Sequence, residues 1–157
     1  MRCLNYEKQY VKKNSTERKE HLLIKNIIVL RGKENLIIPV MNILYFFYED
    51  KTVFVVTKEK EIFIYEKSLS FLEKTLCSCF FRINRQVIVN YSSIHSFYYH
   101  KKDKIQLVVQ HGEGRNMVIG KNKIVRFKKW IMFDCPCDMP LVSGESFSKF
   151  YPLPEVT

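Results

Sequence analysis

The chemistry of this chain concentrates in the stretch Phe80–Asn90, FFRINRQVIVN. Arg82 and Arg85 carry planar guanidinium forks, which match phosphate oxygens or the O6/N7 edge of guanine two bonds at a time. Asn84 carries the donor–acceptor pair that matches adenine. Read as one continuous strand, alternate side chains Phe81, Ile83, Arg85, Val87 and Val89 share a face, and an arginine stands in an apolar row. An unpartnered buried guanidinium is very costly. The stretch is therefore expected to be two short β pieces around an Ile83–Gln86 bend, which releases Arg82, Asn84 and Arg85 to the surface.

The charge of the chain agrees. Its 157 residues carry a net charge of +10, a surplus that points to a polyanionic partner, nucleic acid or an anionic membrane surface. Residues 1–26 hold seven Lys/Arg and three Asp/Glu, residues 27–81 seven of each, residues 82–131 eleven and two, and residues 132–157 one and four. The surplus of the central region thus begins at Arg82. No motif for nucleophilic, nucleotide-dependent or zinc-dependent catalysis occurs, so no enzyme activity is expected. Gly112-Glu113-Gly114 reads as a hairpin turn. The four histidines and five cysteines (Cys3, Cys77, Cys79, Cys135, Cys137) fit no standard zinc spacing, so no metal and no cofactor is expected. Their odd number and C-x-C pairing fit reduced thiols. No apolar run approaches a membrane span and no signal peptide is visible, so a cytoplasmic location is expected, with no membrane and no small-molecule substrate among the partners.

The elements that must position these residues are mostly β. Asn26–Gly32 and Asn35–Val40 read as strands around Gly32-Lys33-Glu34, and Ile43–Lys67 as a three-strand meander turning at Glu49-Asp50-Lys51 and Lys58-Glu59-Lys60. Leu69, Leu72 and Leu76 make one stripe of a short helix, with Ser68 as cap or Ser70 and Glu73 as a capping box. Further strands are expected at Ile94–Tyr99, Lys104–Gln110 and Asn116–Ile119. A closing helix over Lys123–Ile131 presents Ile124, Phe127 and Ile131. Cys77 and Cys79 are expected to pack as small apolar residues. The domain organisation read from this is a charged arm (1–26), one binding domain (27–131) and an irregular tail (132–157).

The junction SLSFLEKTLCSCFFRINRQVIVNYSSI resembles the LytTR DNA-binding domain of LytR/AgrA-type bacterial transcriptional regulators, with Ser68, Leu69, Leu72, Glu73, Leu76, Phe80, Arg82, Arg85, Ile88, Val89, Asn90 and Ile94 at family positions. Upstream ILYFFYEDKTVFVVT and downstream VIGKNKIVRFKKWI extend the likeness over about residues 27–131. The family's usual His and Ser are Asn84 and Gln86 here, and its Ser-Arg near the end is Gly120-Lys121. The resemblance implies a fold of small packed antiparallel β-sheets, about ten strands with one or two short helices. It also implies sequence-specific binding of double-stranded DNA, with loops entering the major groove. Carried over, it makes Asn84, Arg85, Lys121 and Asn122 candidates for base contacts, and Arg82, Lys123 and Lys51 candidates for phosphate contacts. Lys51 is the weaker, because Asp50 stands beside it. About 26 residues cannot form a receiver domain, so the chain is expected to act alone, without phosphorylation in cis. Two protomers on direct repeats is a further expectation from the resemblance. The alternative is a degenerate LytTR-like module that binds a partner regulator without reading bases.

Overall fold

The structure is a computed structural model that describes residues 22–134. The N-terminal arm up to residue 21, the tail from residue 135, and with them Cys3, Cys135 and Cys137, lie outside the described residues.

The run ILYFF is buried from Ile43 to Phe47 because it forms a strand covered on both faces. This strand, β3 (Ile43–Glu49), is the middle of a five-stranded antiparallel sheet with β4 (Thr52–Thr57), β5 (Ile62–Tyr65), β6 (Phe80–Arg82) and β7 (Val87–Asn90), in the order β5-β4-β3-β7-β6. Alternation sends Phe46, Val53, Val55, Phe63 and Ile88 to one face, where they meet Ile27, Val29 and Ile38 of the ribbon β1 (Asn26–Arg31) and β2 (Glu34–Pro39). Leu69 and Leu72 of helix α1 (Leu69–Thr75) complete that core, with Cys79 buried beside them. Tyr45, Phe47, Val87 and Val89 point the other way. They pack on Ile105, Leu107 and Val109 of a three-stranded sheet formed by β8 (Ile94–Tyr99), β9 (Lys104–Val109) and β10 (Val118–Gly120), in the order β10-β9-β8. Phe127 and Trp130, from helix α2 (Lys121–Lys129) and the wide turn after it, close this second core. A bulge between Ile43 and Tyr45 turns both Leu44 and Tyr45 into the second core.

The expected strands and helices are therefore present, ten strands and two helices among the described residues. Gly32 makes the first turn at φ +59°. Ser68 caps α1, its Oγ accepting from the Phe71 N–H at 3.1 Å. Glu73 is free of capping duty and bonds elsewhere. Several element ends differ from the sequence reading by one or two residues, and two of these differences lie at the site. Strand β10 spans Val118–Gly120 rather than 116–119, and α2 starts at Lys121 rather than Lys123. Lys121 and Asn122 are polar, so the apolar period could not reveal that the helix had already begun.

Candidate nucleic-acid interface

Strands β6 and β7 pair directly, Phe80 with Asn90, Phe81 with Val89 and Arg82 with Ile88, so residues 83–86 form the turn of a hairpin. The Ile83 N–H donates to the Val87 carbonyl at 3.0 Å. Ile83 is fully buried, while Arg85 and Gln86 stand exposed. The register breaks where the burial cost of Arg85 required it to.

Hydrogen bonds fix this turn from three sides. The Arg82 guanidinium donates to the carbonyls of Asn84 and Arg85, both at 3.2 Å, and to the Glu73 carboxylate of α1 at 2.9 Å. The Asn84 amide donates to the carbonyls of Asn116 (2.8 Å) and Val118 (3.0 Å), and its Oδ1 accepts from the Gln86 N–H at 2.8 Å. The Asn116 amide donates to Gln86 Oε1 at 3.1 Å. From α2, Lys123 Nζ donates to the Arg82 carbonyl at 3.2 Å. Burial lowers the Lys123 pKa, helped by Arg82 and Arg126 and opposed by Glu73.

Strand β10 runs straight into α2 through Gly120, which is extended (φ −77°, ψ 161°) and offers no side-chain cap. The start of α2 and the 83–86 turn therefore lie together around a cleft of about 280 Å³, lined by Ile83, Asn84, Arg85, Gly120, Lys121, Asn122 and Lys123. Two groups of candidate residues from distant parts of the sequence thus share one site. Arg82 lies beside them, paired with Glu73. Lys51 does not line the cleft. It sits in the β3–β4 hairpin turn, where Asp50 and Lys51 both have left-handed backbones (φ 49° and 62°). That turn leaves the same end of the central sheet as the 83–86 turn, since Phe47 pairs with Val87 and the Tyr48 N–H donates to the Gln86 carbonyl at 2.7 Å.

Sequence reasoning missed the supports of this site. In sequence Glu73 reads as a capping residue and Asn116 as the first residue of a strand. Arg115, which lies 3.9 Å over the Phe47 ring and 3.5 Å from the Glu49 carboxylate, belongs to no motif in the sequence. Each acts on residues 9 to 68 positions away, and no local pattern carries such a signal. Among the described residues no His, Cys, Asp and Glu side chains group to hold a metal ion, and no helix is long and apolar enough to cross a membrane.

This mostly β fold is similar to that of a solved structure from Bacillus cereus. That structure is the LytTr DNA-binding domain assigned to a methyl-accepting/DNA response regulator. It superposes with a TM-score of 0.62 at 22% identity, over 70% of this chain and 99% of the other. The family profile for the LytTr DNA-binding domain matches residues 33–132, and the chain belongs to the LytTR family. No curated protein matches it in sequence.

Proposed function

We propose that this LytTR domain binds double-stranded DNA sequence-specifically, as a transcriptional regulator, by placing the 83–86 turn and the first turn of α2 in the major groove. The observation that carries the reading is the shared cleft, where Arg85 and Lys121–Lys123 converge from segments more than thirty residues apart. Arg85, Lys121 and Asn122 are exposed and are assigned to base edges. Lys123 keeps two N–H donors beyond its bond to the Arg82 carbonyl, and Arg82 keeps two of its five. Both are assigned to phosphates on the rim, and Lys51 to the backbone reached by the neighbouring hairpin. Asn84 is left out of the base contacts, since its amide is engaged within the protein.

The test is selection of duplexes from a random library, followed by titration of the selected duplex at several salt concentrations. The three cations assigned to phosphates contribute about −3 to the slope of log K against log salt, and further basic side chains near the backbone steepen it. Arg85→Ala is expected to cost about 1–3 kcal/mol on the selected site and to flatten preference there. A titration that shows no duplex binding at ~50 mM salt refutes the reading and turns attention to a protein partner.

A further inference from the structure

We propose that Asn84 is a positioning residue that locks Arg85 to the start of α2, so that the two segments read DNA as one unit with fixed spacing. The proposal rests on the assignment of Arg85 and Lys121 to base edges.

Asn84 belongs to the β6–β7 hairpin of the five-stranded sheet, and its amide is bonded to the main chain that enters β10 of the three-stranded sheet. Arg85 is the next residue on one side of the link. On the other side Lys121 follows Val118 by three positions, through Gly120. Gly120 brings no side chain and no cap to stiffen that joint. The amide bonds across it therefore set how far the α2 start stands from the turn, and the Asn116 bond to Gln86 adds a second strut between the same two segments.

Asparagine suits the position chemically. Two main-chain carbonyls need two donors, and the Gln86 N–H needs an acceptor at the same side chain. Aspartate would set oxygen against two carbonyls. Serine has one donor and less reach. A neutral histidine, usual at this position in the LytTR pattern, has one N–H for two carbonyls. To pair with adenine through its amide, Asn84 would have to release at least one of the two carbonyls, since both N–H donors are in use.

The experiment compares the 157-residue chain with Asn84→Ala, Asn116→Ala, Arg85→Ala and Lys121→Ala. Base preference at each position of the selected duplex, the salt slope, and hydrogen exchange of the Gln86 amide are measured. Asn84→Ala is expected to flatten preference by about tenfold at the positions that Arg85→Ala and Lys121→Ala also flatten. Asn116→Ala, an exposed change that threatens the fold least, does the same more weakly. Both leave the salt slope unchanged, because neither removes a charge. The Gln86 amide exchanges about tenfold faster in Asn84→Ala before DNA is added. A defect in folding alone would instead weaken all duplexes evenly. The proposal is overturned if Asn84→Ala relaxes a position that neither Arg85→Ala nor Lys121→Ala touches, since Asn84 is then a reader, or if preferences do not change. A wild-type Gln86 amide that exchanges freely overturns it without DNA. If the wild-type chain selects no duplex, the DNA reading fails first and the proposal falls with it.

Discussion

Removal of Arg82 tests whether the turn that presents Arg85 is held by its arginine. In Arg82→Ala two hydrogen bonds to main-chain carbonyls at 3.2 Å disappear, together with the 2.9 Å ion pair to Glu73. Bonds of this kind contribute about 1 kcal/mol each, net of water. The carbonyls lie on a turn that water can reach, which trims the loss. The Glu73 side chain is 46% exposed, so its pairing is worth only about 0.5 kcal/mol. The total is about 2 kcal/mol, or roughly 8 °C in Tm for a domain of this size. Urea unfolding followed by circular dichroism measures it. Glu73→Ala is expected to cost about 0.5 kcal/mol, and a double-mutant cycle to return a coupling of that size which fades at 1 M salt. Arg82→Lys keeps the charge but loses the fork that spans two carbonyls, and recovers less than half of the loss. The reasoning is refuted if Arg82→Ala and Glu73→Ala destabilise equally, because the arginine is then a surface ion-pair partner and not a brace.

Trp130, the sole tryptophan, is buried, stacks on Phe81 and donates to the Ser78 carbonyl at 2.7 Å. Trp130→Phe is expected to lower stability by about 1–2 kcal/mol, and wild-type tryptophan emission should shift red in the same urea transition as circular dichroism; an unchanged midpoint contradicts the packing described. Lys51→Gly relieves a left-handed backbone and should raise stability by about 0.5 kcal/mol, while a phosphate contact at Lys51 predicts a salt slope smaller by about 0.9; calorimetry and titration check the two parts separately. The hydrogen bond from Cys79 lowers the Cys77 thiol to about 7, against the opposing effect of burial. Alkylation of Cys77, followed by peptide mass mapping, should therefore be half-maximal near pH 7, and Cys79→Ala should move that midpoint up. The folded thiol lies below its ordinary value of 9.0, so its contribution to stability is complete above pH 9 and is lost as pH falls through 7.

The sequence made the fold legible where apolar periods were strong. ILYFF, TVFVV and VIV read as strands because both of their faces are covered, and Leu69 and Leu72 read as a helix because both enter one core. The broken register at Arg85 was legible for the opposite reason, since one charged residue in an apolar row has a large burial cost. The start of α2 was not, because Lys121 and Asn122 carry no apolar signal. Nor was the state of Asn84. Adenine recognition and a bond to two carbonyls call for the same amide, and only the approach of Asn116 and Val118, 32 and 34 positions away, separates them. The same holds for Glu73, whose partner Arg82 lies beyond the end of its own helix.

The charge pattern takes a definite meaning from this arrangement. Of the eleven cations in residues 82–131, Arg85, Lys121 and Lys123 line the cleft, while Arg82 and Arg115 lie against Glu73 and Glu49. The remaining six are Lys101, Lys102 and Lys104 at the β8–β9 turn, and Arg126, Lys128 and Lys129 toward the end of α2. The last three sit where cations favour the helix dipole. These six shape a field, which raises encounter rates and screens away with salt. Lys128 bonds the Tyr99 hydroxyl and stands over its ring, but none of the six joins the hydrogen-bonded frame that holds the turn of Arg85. On the proposed DNA reading, attraction and discrimination are therefore separable. Neutralising the six is expected to slow association and flatten the salt slope while base preference survives, and loosening the turn to leave the slope and degrade the preference, both read by titration of the selected duplex.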